Sequence, residues 1–236
     1  KFATFTALSE VFEAHSLGVS TNRDHVVYDF QPDTLADRVQ RFIEDYDAEV
    51  DRYRRAGRGE SVDSFVSYAK VKWSRDLKQD LKRGNYAEFD KGKIRESLYR
   101  PLTKRWLYLA DILNDSPGLF RTFFPIADVE NRVVAVSQIG YRAPTFNVLV
   151  SDRVVDLHLC ASVDGHQCFP FYTYAADGTN RKENITDEAL RRFREAYGEE
   201  RITKWDIFHY IYAILHHPSY REKFAENLKR ELPRIP

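Results

Sequence analysis

The spacing of apolar residues changes twice along the chain, and this change limits the folds that the sequence can adopt. Between residues 32 and 57, apolar side chains recur at steps of three and four, which places them on one face of a long helix. Between about residues 104 and 175, short runs rich in Val, Phe and Tyr are separated by Asn, Asp, Gly and Pro. Helical spacing then returns. The sequence predicts an α+β fold with N-terminal helices, a central mixed or antiparallel β-sheet and C-terminal helices.

Helix-start and helix-stop residues place the helices of the first part. The long helix begins at Pro32, since proline is favoured at the first helical position, and it ends at Gly57. Its apolar face consists of Leu35, Val39, Phe42, Tyr46, Val50 and Tyr53. The other predicted elements are one or two helices before Gly18, a short strand over residues 25–30, and helices over residues 61–70 and 75–84.

The last part of the chain carries helix caps. Thr186 caps one helix, Thr203 with Asp206 resembles a capping box that opens the next, and Pro218 breaks that helix before a final one begins. The helix after Thr203 has an aromatic and aliphatic face that suits a protein core or a contact with another domain. This face consists of Phe208, Ile211, Tyr212 and Leu215.

The strand-like runs are KRWLYLA, RVVAVSQI, FNVLVSD, RVVDLHLC and QCFPFYTY. Their number predicts a sheet of about four to six strands. We treat the chain as one domain over residues 1–236. It has a helical part (about residues 1–103), a β-rich part (about residues 104–180, with the sheet at about 104–175) and a C-terminal helical part (about residues 181–236).

Charge is unevenly distributed, although Lys plus Arg and Asp plus Glu both number 36. Residues 70–105 carry about seven more basic than acidic residues, and aromatic side chains lie among them. Such a mixture suits a surface that contacts DNA phosphates, and it equally suits a solvated basic face. The candidate phosphate-contacting residues are Lys93, Arg95, Tyr99, Arg100, Lys104 and Arg105.

A second candidate is the stretch IGYRAPTFN, residues 139–147, between two predicted strands. In DNA recognition, arginine hydrogen-bonds guanine, asparagine hydrogen-bonds adenine, and tyrosine contacts phosphates. Tyr141, Arg142 and Asn147 are therefore candidate DNA-reading residues. The alternative is a plain β-loop built from turn-forming residues.

The sequence lacks the short motifs of several enzyme classes. It has no GxxxxGK[ST] or GxGxxG motif, no [ND]PP[YF] motif of amino-methylating DNA methyltransferases, and no GxSxG or HExxH motif. The pair Pro32 and Asp33 has no ExK strand downstream, which argues against a nuclease of the PD…ExK type. We predict no catalytic residue and no cofactor in this chain.

One cluster suits a metal ion. His158 and Cys160 lie two residues apart, as do His166 and Cys168, and four such side chains can bind zinc when they meet on a hairpin. The competing interpretation is that the cysteines pack as small apolar residues and the histidines cap strands, and we predict no metal site. Three further histidines, which we interpret as helix-end side chains, are His209, His216 and His217.

Two cysteines do not make a disulfide framework, and the sequence shows neither a signal peptide nor a long apolar run. We therefore expect a cytoplasmic protein without a membrane partner. The chain begins at Lys1 and contains no Met, and we interpret it as a fragment of a longer polypeptide.

Six segments give the sequence a specific resemblance to a known family. They are GVSTNRD, VKWSRDLKQDLKRG, KIRESLYRPLTKRWLYLAD, HQCFPFYTY, ENITDEALRRFREAYG and ITKWDIFHYIYAILHHPSYREKFAENLKRELPRIP. In this order they resemble the C-terminal region of type ISP restriction-modification enzymes. These enzymes are single polypeptides that join a nuclease, an ATP-driven DNA translocase, an adenine-N6 methyltransferase and a target recognition domain. The resemblance covers nearly the whole chain.

The resemblance implies a target recognition, or specificity, domain that binds double-stranded DNA at an asymmetric site. It would direct the adjoining SAM-dependent adenine-N6 DNA methyltransferase domain of the same polypeptide, together with the ATP-driven nuclease. SAM, ATP and Mg²⁺ would bind only to the upstream domains, and the parent protein would be the enzyme. The alternative is an interdomain coupling scaffold with little DNA affinity of its own.

Overall fold

The structure is a computed structural model that describes residues 2–57 and 61–236. Helices and strands both occur in it, and every strand pair whose register is described is antiparallel, which confirms the predicted α+β class. Within those two ranges, no helix is both long and apolar enough to cross a membrane.

The helices and strands follow in chain order. The α-helices are α1 (Leu8–Val11), α2 (Asp24–Val27), α3 (Pro32–Arg55), α4 (Val62–Phe65), α5 (Arg75–Arg83), α6 (Phe120–Phe123), α7 (Asp187–Tyr197), α8 (Lys204–His216), α9 (Pro218–Lys223) and α10 (Ala225–Arg230). The strands are β1 (Thr6–Ala7), β2 (Ser16–Leu17), β3 (Tyr28–Asp29), β4 (Ile94–Arg100), β5 (Thr103–Tyr108), β6 (Val133–Ser137), β7 (Val148–Ser151), β8 (Val154–Val155), β9 (His166–Pro170), β10 (Tyr172–Thr173), β11 (Lys182–Glu183) and β12 (Arg234–Ile235).

The chain forms two compact units. The terminal unit contains the described residues up to Gly18, together with Leu98–Leu102 and Gly118–Pro236. The inserted unit contains Val19–Ser97 and Thr103–Pro117. Strand β4 begins in the inserted unit and ends in the terminal unit.

The terminal unit is built on a four-stranded sheet in the order β2-β9-β6-β7. Strand β6 pairs with a neighbour on each side, with Val134 opposite Phe169 of β9 and opposite Val150 of β7. All five residues of β6 are buried, as expected for an apolar strand in the middle of a covered sheet. Residues of β6, α7 and α8 share one hydrophobic core.

The helix caps predicted for the terminal unit are confirmed. The Thr186 hydroxyl accepts a hydrogen bond from the N–H of Ala189 at the start of α7. At the start of α8, the Thr203 hydroxyl accepts from the N–H of Asp206, and the Asp206 carboxylate accepts from the N–H of Thr203. These bonds satisfy N–H groups that a helix start leaves without a helical partner.

The aromatic and aliphatic face of α8 lies in the core. Phe208, Ile211 and Leu215 are at most 2% exposed, and Tyr212 packs against the same core while partly exposed. Of the two interpretations that the sequence left open for this face, the structure therefore supports the core of the unit.

The one or two helices predicted before Gly18 are reduced to a single short helix. Before Gly18, the described chain has one 3₁₀ turn, the four-residue helix α1, and strands β1 and β2. β1 pairs with β12 near the other end of the chain, with Thr6 opposite Ile235. The apolar residues are spaced as in a helix, but pairing with a distant strand overrides this local pattern.

The inserted unit contains the long predicted helix as α3, and all six residues of its predicted apolar face are buried. The prediction for α5 is also confirmed. This helix ends at Gly84, whose φ of 78° lies in the left-handed region where glycine has no steric cost. Arg23, 1% exposed, donates to Ser74 and to the Asp76 carboxylate (3.1 Å).

Two other predictions for the inserted unit are met only in part, and the part predicted to be helical up to about residue 103 also contains a strand. The predicted helix over residues 61–70 shortens to α4, and the predicted strand over residues 25–30 becomes α2 followed by β3. Strand β4 starts at Ile94, in the part predicted to be helical. The sequence of β4 shows no alternation of apolar and polar residues, because buried positions such as Arg95 and Ser97 are polar.

Candidate nucleic-acid interface

The β6–β7 loop (residues 138–147) joins two neighbouring antiparallel strands of the buried sheet. Tyr141 is 7% exposed and packs against Phe146, with ring centroids 6.2 Å apart. Arg142 follows Tyr141 and is exposed. Within the part of the chain that the structure describes, the Arg142 guanidinium has no hydrogen-bond or ion-pair partner. The loop thus combines a buried aromatic side chain, Tyr141, with an exposed cation, Arg142.

The far end of this loop is fixed by hydrogen bonds. Three of them join Asn147 and Ser137. The Asn147 N–H donates to the Ser137 hydroxyl (2.8 Å), and the Asn147 carbonyl accepts from the Ser137 N–H (2.9 Å) and the Ser137 hydroxyl (3.4 Å). The Asn147 side-chain amide donates to the Thr145 carbonyl (3.3 Å). Arg221 of α9 donates to the carbonyl of Phe146. The candidate Asn147 is therefore half-buried and oriented by the loop itself.

The middle of the loop is held by Asp164, which is not among the candidate residues predicted from the sequence. Its carboxylate accepts hydrogen bonds from the backbone N–H groups of Arg142 and Ala143, both at 2.7 Å. The side chain is buried, with the residue 3% exposed. The signal available in the sequence was the pair Asp164-Gly165, which indicates a turn but not a contact with a distant loop.

In the terminal unit, two further candidates lie together. The Arg100 guanidinium is 4.0 Å from the ring centroid of Tyr99 and donates to the Asp156 carboxylate (2.7 Å). Asp156 is itself 3% exposed. A Cβ at Gly18 would lie 2.7 Å from the Asp156 carbonyl oxygen, so the close approach of these backbones requires glycine. The ion pair orients Arg100, and an added phosphate would compete with Asp156 for it.

The inserted unit holds the other four candidates. Lys104 is exposed and Lys93 is half-buried. The Arg105 guanidinium lies 4.5 Å from the ring centroid of Phe30, a residue that is 59% exposed. Arg95 differs from these because it is 8% exposed and donates to backbone carbonyls, including that of Ile94 at 3.0 Å. Lys104 and Arg105 are thus better placed for a partner than Arg95.

The four residues of the zinc hypothesis do not form a metal centre. Residues 2–57 and 61–236 contain no group of three or more His, Cys, Asp or Glu side chains arranged to hold a metal ion. Cys168 lies inside the sheet opposite Ala135 of β6, and its complete burial strongly raises the pKa of its thiol. β8 ends before His158, so the predicted hairpin of paired ligands does not form.

The helical histidines have ordinary surroundings. His209 and His216 lie on α8, where they contact the rings of Trp205 (4.7 Å between centroids) and Tyr212 (4.6 Å). Burial lowers the pKa of His216, and the charge of Arg221 lowers it further. These contacts agree with a packing role.

A buried sheet that carries a fixed loop with an exposed arginine has the features of a recognition domain. The sequence comparison agrees with this class. The chain belongs to the type ISP C-terminal specificity domain family, whose profile matches residues 10–236. No curated protein matches the chain.

Three solved structures are similar to this chain, each with a TM-score of 0.83. A DrdV–DNA complex is 38% identical and is matched over 96% of this chain and 21% of that one. A nuclease-deletion mutant of the type ISP restriction-modification enzyme LlaGI, in complex with a DNA substrate mimic, is 30% identical over 100% of this chain and 21% of that one.

The third structure is the ATP-dependent type ISP restriction-modification enzyme LlaBIII bound to DNA. It is 21% identical over 100% of this chain and 15% of that one, which supports the fold. The present chain spans about a fifth of the length of the DrdV chain and of the nuclease-deleted LlaGI chain.

Proposed function

We propose that this chain reads a target sequence in double-stranded DNA for a type ISP restriction-modification enzyme. The observation that supports this proposal most is the β6–β7 loop. Its backbone is held by hydrogen bonds, and the exposed Arg142 guanidinium has no partner among residues 2–57 and 61–236. Arginine discriminates guanine by two hydrogen bonds to O6 and N7, and this geometry requires a fixed approach. Asn147, on the same loop, is the second proposed reading residue.

Basic residues of β4 and β5, and Lys93 directly before β4, supply sequence-independent affinity in this proposal. Lys104 is exposed and Lys93 is half-buried. A lysine that contacts a phosphate releases a bound counterion, so the affinity that it adds falls as salt is raised. Arg100 and Arg105 already lie on aromatic rings and are proposed to contact phosphates from these positions.

Three of the nine candidate residues receive a supporting role. Arg95 and Tyr141 are 8% and 7% exposed, respectively. Arg95 donates to the backbone of its own segment, and Tyr141 packs beneath its loop against Phe146. We propose that they shape the backbone that carries the contacting residues. Tyr99 supports Arg100 differently, because its ring packs against the Arg100 guanidinium.

Methyl transfer to adenine N6, ATP-driven translocation and DNA cleavage are proposed for other domains of the same polypeptide. The chain spans about a fifth of the DrdV chain and of the nuclease-deleted LlaGI chain, which leaves room for such domains in a relative of this size. SAM, ATP and Mg²⁺ would bind there. The present sequence has no motif that fits these groups, and its own residues bind and orient DNA for the adjoining methyltransferase.

The coupling-scaffold alternative loses its strongest support in the structure. It relied on the apolar face of α8 as a surface for another domain. Phe208, Ile211 and Leu215 of that face are buried in the terminal unit, so the face is already occupied.

The proposal is tested by selection from a randomised duplex pool. The 236-residue chain is incubated with the pool, bound duplexes are recovered and sequenced, and the cycle is repeated. We expect enrichment of one asymmetric motif. Binding without enrichment would contradict sequence reading by this chain, and no binding would favour the scaffold.

A further inference from the structure

Asp164 is a buried carboxylate with an unusual set of partners. In the described residues 2–57 and 61–236 it forms no ion pair, although the residue is only 3% exposed. Its two oxygens instead accept one backbone N–H each, from Arg142 and from Ala143, at 2.7 Å. Burying a carboxylate is costly unless hydrogen bonds compensate the charge, so these two short bonds are what stabilise it.

The backbone that carries Asp164 is held by hydrogen bonds from its own turn and from Gln138, the first residue of the loop. The N–H of Asp164 donates to the Ala161 carbonyl (3.3 Å), and the Nδ1 atom of His158 lies 3.2 Å from the Asp164 carbonyl oxygen. Gln138 donates its N–H to the carbonyl of Gly165 (3.1 Å). A Cβ at Gly165 would collide with the side chains of Gln138 and Leu157, so this turn is closely packed.

We propose that Asp164 is a positioning residue for sequence recognition. By holding the N–H groups of Arg142 and Ala143, it sets the direction in which the Arg142 side chain leaves the loop, and thereby the base pair that the guanidinium reaches. This inference rests on the proposed function of the loop. Arg142 acts on DNA, whereas Asp164 acts through Arg142.

The substitution Asp164→Asn provides the sharpest test because it preserves shape and removes one acceptor. One amide oxygen can still accept an N–H, but the amide nitrogen then faces the second N–H, which loses its partner. The readout is the ratio of Kd values for a scrambled duplex and for the duplex enriched by selection. We expect this ratio to fall about tenfold, as for Arg142→Ala, with the Kd for the scrambled duplex changed less than about twofold.

The double variant Arg142→Ala with Asp164→Asn is expected to lose no more specificity than Arg142→Ala alone, because both changes remove the same contact. Asp177→Asn is the matched control. Asp177 also accepts a backbone N–H, from Thr179 at 2.9 Å, but this N–H does not belong to the β6–β7 loop. This variant is expected to retain the wild-type ratio.

Asp164→Ser removes both carboxylate oxygens without adding volume, and it serves as the second variant if Asp164→Asn fails to fold, as judged by thermal unfolding. Folded Asp164 variants that retain the full ratio, while Arg142→Ala loses it, would overturn the positioning role and leave the proposed function intact. Equal weakening on both duplexes would also overturn it, because that is the result of a merely structural role. An unchanged ratio in Arg142→Ala would instead count against the loop as the reading surface.

Discussion

At the scale of single residues, Lys104 and Arg142 are both exposed cations but are expected to act differently on DNA. Arg142→Ala is expected to reduce discrimination at one base pair, by about 1–3 kcal/mol for a paired contact. Lys104→Ala is expected to weaken binding to all duplexes alike and to reduce the salt dependence by about one counterion. Kd values of both variants on the selected and scrambled duplexes, at two salt concentrations, check this. The same loss pattern in both variants would contradict the division of roles.

His166 makes the stability of the chain dependent on pH. It is 1% exposed, its Nδ1 atom lies 3.3 Å from the Leu157 carbonyl oxygen, and burial lowers its pKa below the ordinary 6.5. The unfolded chain binds a proton on this ring more readily than the folded chain does. The contribution of His166 to folding stability is therefore fully present above about pH 6.5 and is lost as the pH falls below that value. We expect the midpoint of thermal unfolding to decrease between about pH 7.5 and about pH 5.5.

The control for this prediction compares the same substitution at a buried histidine and at an exposed histidine. His166→Gln is expected to flatten the pH dependence between these limits, and His209→Gln, at an exposed position of α8, to retain it. If wild type and His166→Gln lose stability in parallel on acidification, other groups cause the loss.

At the scale of elements, the start of α8 is a direct test of capping. Thr203→Ala removes the hydroxyl that accepts the N–H of Asp206, and we expect a loss of about 1 kcal/mol in the free energy of unfolding. For a chain of this size that corresponds to about 2–4 °C in Tm. Thr203→Ser keeps the hydroxyl and is expected to recover most of the stability. Equal Tm values for the Ala variant and wild type would show that the cap contributes nothing.

Elements with local causes were predictable from the sequence. α3 has a continuous apolar face and α8 has a capping box, and neither depends on a distant residue to begin. β1 and β4 were not predictable, because their conformation comes from pairing and their residues carry no clean alternation. Short strands formed by long-range contacts have little local signal.

The candidate site shows the same division. The composition of residues 139–147 identified the β6–β7 loop, since Arg and Asn between two apolar strands are visible in the sequence. The contact from Asp164 to the N–H groups of Arg142 and Ala143 was not visible, because it joins separate turns through backbone atoms. Burial also distinguishes Arg95 from Lys104, which the count of basic residues treated alike.

At the scale of the whole molecule, neither compact unit is a continuous stretch of chain. Composition alone suggests parts that follow one another along the chain. In the structure, β1 and β12 pair although they lie near opposite ends of the chain. The terminal unit places its sheet, its core and the β6–β7 loop in one body. That arrangement is what gives the loop a rigid base.

The measurement that tests the central claim most directly is the Kd of the 236-residue chain for the selected duplex and for a scrambled duplex of the same composition. Both are measured at about 50 mM and about 200 mM salt. We expect both Kd values to rise with salt and the selected duplex to bind more tightly at each concentration. Equal Kd values for the two duplexes at both concentrations would contradict target recognition by this chain.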